Sequence, residues 1–107
     1  MIYILCIGSN EHPQANLLLA RRRLQELFKD IRFSEEEETP PVNCTRQEMF
    51  LNQLACFTSR HTAREITPLL KGIEQEAGRT AEEKERGIIR LDIDLLAEAN
   101  STAEAYT

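Results

Sequence analysis

Positive charge is in short supply: 13 Lys and Arg stand against 18 Asp and Glu, a formal net charge of −5. A broad nucleic-acid-binding surface needs a basic excess, so none is expected; local clusters such as Arg21-Arg22-Arg23 remain. Long apolar runs are missing as well. Nothing approaches the roughly 18 residues that a membrane-spanning helix needs. The N-terminal MIYILCIG is apolar, but no basic residue precedes it and no polar stretch with a small-residue cleavage site follows. It reads as a strand, not as a signal peptide. Cysteine is present but unpatterned: Cys6, Cys44 and Cys56 form no CxxC or Cys/His spacing, and the count is odd. Cys6 and Cys56 lie inside apolar segments, where free cysteine behaves as a small hydrophobe. No disulfide or thiol-metal role is expected, and a reducing cytoplasm is the natural compartment.

What is there fits one ordinary globular domain spanning residues 1–107, with 41% hydrophobic and 29% charged residues. Residues 1–7 form a short apolar run bounded by Gly8-Ser9-Asn10, the pattern of a strand buried on both faces. From about Pro13 to Lys29 a helix is expected, with Leu17, Ala20, Leu24, Leu27, Phe28 and Ile31 on its apolar side. IRFSEEEE reads as a second strand, ending near Thr39-Pro40-Pro41 in a rigid loop that runs to about Glu48. MFLNQLACFTS is a third strand, with Phe50, Asn52, Leu54 and Cys56 on one face and Leu51, Gln53, Ala55 and Phe57 on the other. A second helix carries Ile66, Leu69, Leu70, Ile73 and Ala77 inward and stops near Gly78. Its start is ambiguous. Thr62 with Glu65 forms a capping box that leaves Pro68 inside the helix, whereas Thr67 as the cap makes Pro68 its first residue. RTAEEKER is a charged loop, GIIRLDIDLL a fourth strand, and AEANSTAEAYT a loose tail. The order β-α-β-β-α-β predicts an α+β, ferredoxin-like fold: a four-stranded antiparallel sheet with two helices on one face.

The fourth strand is the unusual one. Strands disfavour Asp, yet Asp92 and Asp94 stand among aliphatic residues. Alternation sends Ile89, Leu91, Ile93 and Leu95 toward the helices, and Arg90, Asp92, Asp94 and Leu96 the other way. Two aspartates at i and i+2 on one strand face can share Mg²⁺, which takes one or two carboxylates and completes its shell with water and phosphate oxygens. The alternative is a solvated acidic face paired with Arg90 or another base.

Five stretches, taken together, resemble a known family: IGSN after the first strand, TPP after the second, FLNQLA opening the third, IEQEAGR closing the second helix, and RLDIDLL in the last strand. Running in order from about Ile2 to Leu96, they are similar to 6-hydroxymethyl-7,8-dihydropterin pyrophosphokinase of folate biosynthesis. The resemblance implies an Mg²⁺-dependent transferase that moves pyrophosphate from ATP, its co-substrate, to the pterin hydroxymethyl group, using two Mg²⁺ ions. It places Asp92 and Asp94 as the metal ligands, and Thr39, Pro40, Phe50 and Asn52 at the pterin. It places Glu74 and Arg79 near the nucleotide, with Arg79 and either Arg90 or Lys84 on the phosphates. Arg79 and Arg90 are thus the candidate catalytic cations.

The chain also departs from that family. Gly87-Ile88-Ile89 stands where Gly-Pro-Arg is usual, and RTAEEKER is acidic for a loop over a triphosphate, because phosphoryl transfer relies on cationic clamps. The family's C-terminal Pro-His-Pro segment, with its arginine and second pterin-stacking aromatic, has no counterpart in AEANSTAEAYT. A second reading follows: a catalytically reduced relative that binds pterin or nucleotide, or a domain that assembles into a homodimer through its open sheet face or a free edge strand. Neither reading calls for nucleic acid or a membrane.

Overall fold

The computed structural model describes residues 1–40 and 48–100. Pro41, Cys44 and residues 101–107 of the expected loop and tail lie outside the described residues. The elements run β1 (Ile2–Ser9), α1 (Pro13–Leu27), β2 (Arg32–Phe33), β3 (Glu37–Thr39), β4 (Phe50–Thr58), α2 (Ala63–Glu76), α3 (Ala81–Glu85) and β5 (Asp92–Ala99). All strand pairings are antiparallel. The sheet order is β2-β4-β1-β5, with β3 also on β4. Counting β2 and β3 as one broken strand, this is the expected α+β βαββαβ arrangement.

One sheet face carries the core. Tyr3, Leu5 and Ile7 of β1, with Leu51, Ala55 and Phe57 of β4, pack under Leu17, Ala20 and Leu24 of α1 and Ile66, Leu70 and Ile73 of α2. Phe28 and Phe57 stack with ring centroids 3.8 Å apart. Leu27 and Leu69, expected to face inward, are 43% and 38% exposed. The core is filled by their neighbours one residue along, so they fall at the rim of each helix. Thr62 is the cap of α2: its hydroxyl accepts from Glu65 N, and the Glu65 carboxylate accepts from Thr62 N. Pro68 therefore lies within α2, and Gly78, at φ 93°, closes the helix in the left-handed region.

The second strand is broken by one extra residue. Phe33 opposes Ala55 and Glu37 opposes Asn52, so four steps on one side match three on the other. Ser34 bridges the gap: its N–H donates to Leu54 O, and its hydroxyl accepts from Leu54 N. Such a bulge reverses the face that follows it. Phe33 joins the core side, while Thr39 reaches the open face beside Phe50.

Two expectations about the end of the chain need correction. RTAEEKER contains a short helix, α3, whose cap Thr80 accepts from Glu83 N. The last strand starts at Asp92, not Gly87, and continues to Ala99, so Ala97–Ala99 are strand and not tail. Asn10 explains the late start. Its backbone N–H donates to Ile89 O at 2.9 Å, its side-chain amide donates to Gly87 O at 2.7 Å, and its Oδ1 accepts from Ile89 N at 2.7 Å. The polar groups of residues 87–89 are used before any ladder can claim them. A second bulge, at Leu96, lies between the pairs Leu5–Leu95 and Ile4–Ala97.

Candidate functional site

At one end of the open face a row of residues crosses three strands. Asn52 of β4, Gly8 of β1 and Asp92 of β5 are direct register partners. Neighbouring strands are about 4.8 Å apart, which places the amide and the acid roughly 10 Å from one another. Gly8 keeps the space between them clear. A Cβ built there would lie 2.8 Å from Asn52 Oδ1, closer than a real contact allows.

On the β4 side, Asn52 Nδ2 donates to Thr39 Oγ1 at 2.7 Å. Phe50 pairs in register with Thr39. Three of the four residues expected at the pterin are thus assembled, and Pro40 follows them, exposed, directly after β3. The bulge near Ser34 lies just upstream of this arrangement, a feature of spacing that no residue type announces.

On the β5 side stand the two acids. Burial pushes the Asp94 carboxyl up, and Asp92 and Glu74 add to it, so it titrates at about 6. Burial also acts on Asp92, but hydrogen bonds from the protonated Asp94 and from Arg79 outweigh it and hold Asp92 below the ordinary carboxylate range. Each carboxyl contributes to the other's shift through a side-chain hydrogen bond, so the two lie close enough to serve one hard cation. Among the described residues, no group of three or more His, Cys, Asp or Glu is placed to hold a metal. A pair of carboxylates that leaves the remaining positions to water and phosphate oxygens is the donor set Mg²⁺ prefers, and the residues present fit it. Cys6 is the register partner of Asp94 on β1; burial and the two acids raise its thiol.

Arg79 and Glu74 form the wall behind the acids. Arg79 Nη1 lies 2.8 Å from Asp92 Oδ1 and 2.9 Å from Glu74 Oε2, and donates to Leu91 O at 3.3 Å. Glu74, only 8% exposed, also accepts from Ile93 N at 2.8 Å. Its carboxylate therefore covers a backbone donor of the edge strand β5. A cavity of about 720 Å³ opens here, lined by Phe50, Lys71, Gln75, Lys84, Asp92 and Asp94 among others. It is wide enough for a ligand of nucleotide size.

Arg90 is not brought to the aspartates. It precedes β5, so strand alternation does not govern it, and it forks onto Glu83 of α3 at 2.8 and 2.9 Å. Its expected position on the face of the acids is corrected accordingly. Gly8, Asn10, Lys71 and Gln75 were not singled out from the sequence. The signal for the first two was IGSN, where Asn10, 3% exposed, is a buried polar residue that must satisfy its amide within the fold.

A family model for 7,8-dihydro-6-hydroxymethylpterin-pyrophosphokinase matches residues 4–102. No curated protein matches the chain. Among solved structures, the solution structure of the C-terminal domain of the MgtC protein from Mycobacterium tuberculosis aligns over 94% of this chain and 92% of that chain, with 10% identity and a TM-score of 0.47. The family match begins within β1 and takes in every later element through β5, with every residue of the Asn52–Gly8–Asp92 row, and the chain belongs to the 7,8-dihydro-6-hydroxymethylpterin-pyrophosphokinase family.

Proposed function

We propose that this protein transfers the pyrophosphoryl group of ATP to the hydroxymethyl oxygen of 6-hydroxymethyl-7,8-dihydropterin in the cytoplasm. The observation that carries the reading is the row Asn52–Gly8–Asp92, which sets a polar docking edge and a metal-competent acid pair on either side of a cleared strand. Thr39, Pro40, Phe50 and Asn52 hold the pterin, with the Asn52 amide reading its polar edge. Asp92 and Asp94 hold Mg²⁺, which when bound neutralises charge on the phosphate oxygens and orients them. Arg79, with Lys84 at the cavity wall, meets the phosphates; Glu74 fixes Arg79 and the β5 backbone behind it. In the reaction the pterin hydroxyl loses its proton to solvent water, its oxygen forms a bond to the β-phosphorus, the bond from that phosphorus to the α–β bridging oxygen breaks, and AMP leaves with the bridging oxygen. Release of AMP from ATP, dependent on both Mg²⁺ and the pterin, is the expected result of a direct assay. No AMP above an Asp92→Ala/Asp94→Ala control would refute it.

A second reading is favoured by one contact. Arg90 is tied to Glu83 and not presented to the cavity, and Ile89 stands where the family has its arginine. A catalytically reduced relative that binds pterin or nucleotide, or that dimerises, fits that loss of positive charge. It predicts ligand binding by calorimetry with no AMP release; turnover by a strict monomer would count against it.

A further inference from the structure

Arg79 is held in an unusual position for a residue facing a triphosphate cavity. One of its nitrogens touches Asp92 Oδ1 and Glu74 Oε2 at once, at 2.8 and 2.9 Å, and reaches Leu91 O at 3.3 Å. Its backbone N–H donates to Glu74 O at 3.2 Å, just past the left-handed turn at Gly78. The guanidinium therefore starts from a fixed point and occupies the Asp92 oxygen that a cation would use. The side chain of Arg79 is 20% exposed and that of Asp92 38%, so solvent screens the attraction between them only in part.

We infer that Arg79 is the built-in counter-ion of Asp92: it weakens cation binding to the nucleotide-free protein and leaves Asp92 when a triphosphate offers it oxygens to fork onto. The inference rests on the metal-site reading above. A dication arriving at Asp92 Oδ1 would meet the guanidinium at hydrogen-bond range, and the two cations repel. Phosphate oxygens relieve this. Their geometry matches the planar guanidinium better than a shared carboxylate oxygen does, and Glu74 keeps Ile93 N as a partner after Arg79 moves. Metal and nucleotide binding are then coupled, each favouring the other, as linkage requires. Lys84 acts on Asp92 only through space, and Arg90 is engaged by Glu83.

The probe is Mn²⁺ alone, titrated into the nucleotide-free full chain and followed by electron paramagnetic resonance. Arg79→Met is expected to tighten Mn²⁺ binding by about tenfold, within the roughly 5- to 150-fold span of site–site couplings. The same variant should bind the Mn²⁺ complex of a non-hydrolysable ATP analogue more weakly than the wild type. Removing Arg79 leaves a buried carboxylate, so Glu74→Gln/Arg79→Met is measured beside it and should show the same gain. If the double variant binds Mn²⁺ within twofold of the wild type, while Asp92→Asn/Asp94→Asn abolishes binding, the counter-ion role is overturned and the metal site stands. If the aspartate variant binds Mn²⁺ as well as the wild type, both the role and the site are overturned.

Discussion

At the scale of single residues, the acid pair gives the sharpest expectations. Asp94 titrates at about 6 in the fold against an ordinary 3.8. A carboxyl raised in this way contributes stability below the unfolded value, and that contribution is lost as pH climbs from 3.8 to about 6. Above that window its charge opposes folding. Asp94→Asn is therefore expected to raise the melting temperature by a few degrees at pH 7.5 and to leave it unchanged at pH 3, as thermal denaturation at the two pH values will show. A gain of the same size at both would mean that ionisation of Asp94 is not the cause. In the AMP assay, Asp92→Asn should lower the rate by about 10²–10³-fold, the cost of losing one preorganised electrostatic contact to the reacting phosphates. The two aspartates stood out in the sequence because each is a polar residue in a strand that ought to be apolar, whereas Asn52 was marked only by the family resemblance of FLNQLA. Arg79's attachment to Asp92 was not legible there. It depends on where a helix end meets a strand 13 residues later in the chain, and no local pattern reports that distance.

At the scale of elements, the close approaches decide. Gly8→Ala would drive a methyl group into Asn52 Oδ1 and turn the amide away from Thr39. The expected cost is about 1–3 kcal/mol of stability, typical of overpacking. Pterin affinity should fall further than stability alone accounts for, which calorimetry at a temperature well below the melting point would reveal. Asn10→Ala would remove the side-chain acceptor of Ile89 N, and with it the amide that donates to Gly87 O. An unsatisfied buried group costs about 1–3 kcal/mol, and a domain of this size loses about 4–8 °C per kcal/mol, so a melting scan should show a drop well outside error. The long periodic elements, β1, α1, β4 and α2, could be read from the sequence because hydrophobic spacing alone specifies them. The break between β2 and β3 and the late start of β5 could not. Both are set by side chains, those of Ser34 and Asn10, that take over backbone partners, and periodicity does not register such substitutions.

At the scale of the whole molecule, the layout is a covered face and a bare one. Among the described residues, no helix is long and apolar enough to cross a membrane. The bare face carries Ile2, Ile4, Leu54 and Cys56 around a shallow cavity of about 610 Å³. Leu54 there is 46% exposed, and Leu96, at the bulge of β5, is 57% exposed. Apolar surface of this kind favours association. Light scattering across a concentration series should show an apparent mass that rises, and Leu54→Lys should flatten the rise; a wild type that keeps monomer mass at every concentration would remove this expectation. The overall fold was legible because the order of elements admits few sheet topologies. The state of the bare face was not, since the same alternation describes a solvated face and a covered one.

The extra residue between Phe33 and Glu37 is absorbed where it sits and is not passed on. Phe33 opposes Ala55 on the core face and Thr39 opposes Phe50 on the open face, although an unbroken strand would put residues six apart on one face. A chain that lost Glu35 would close the break into a regular ladder and still set Thr39 opposite Phe50. What it would lose is the hold of Ser34 on both polar groups of Leu54. For this fold, a difference of one residue in the spacing between TPP and the strand before it is compatible with the same pocket.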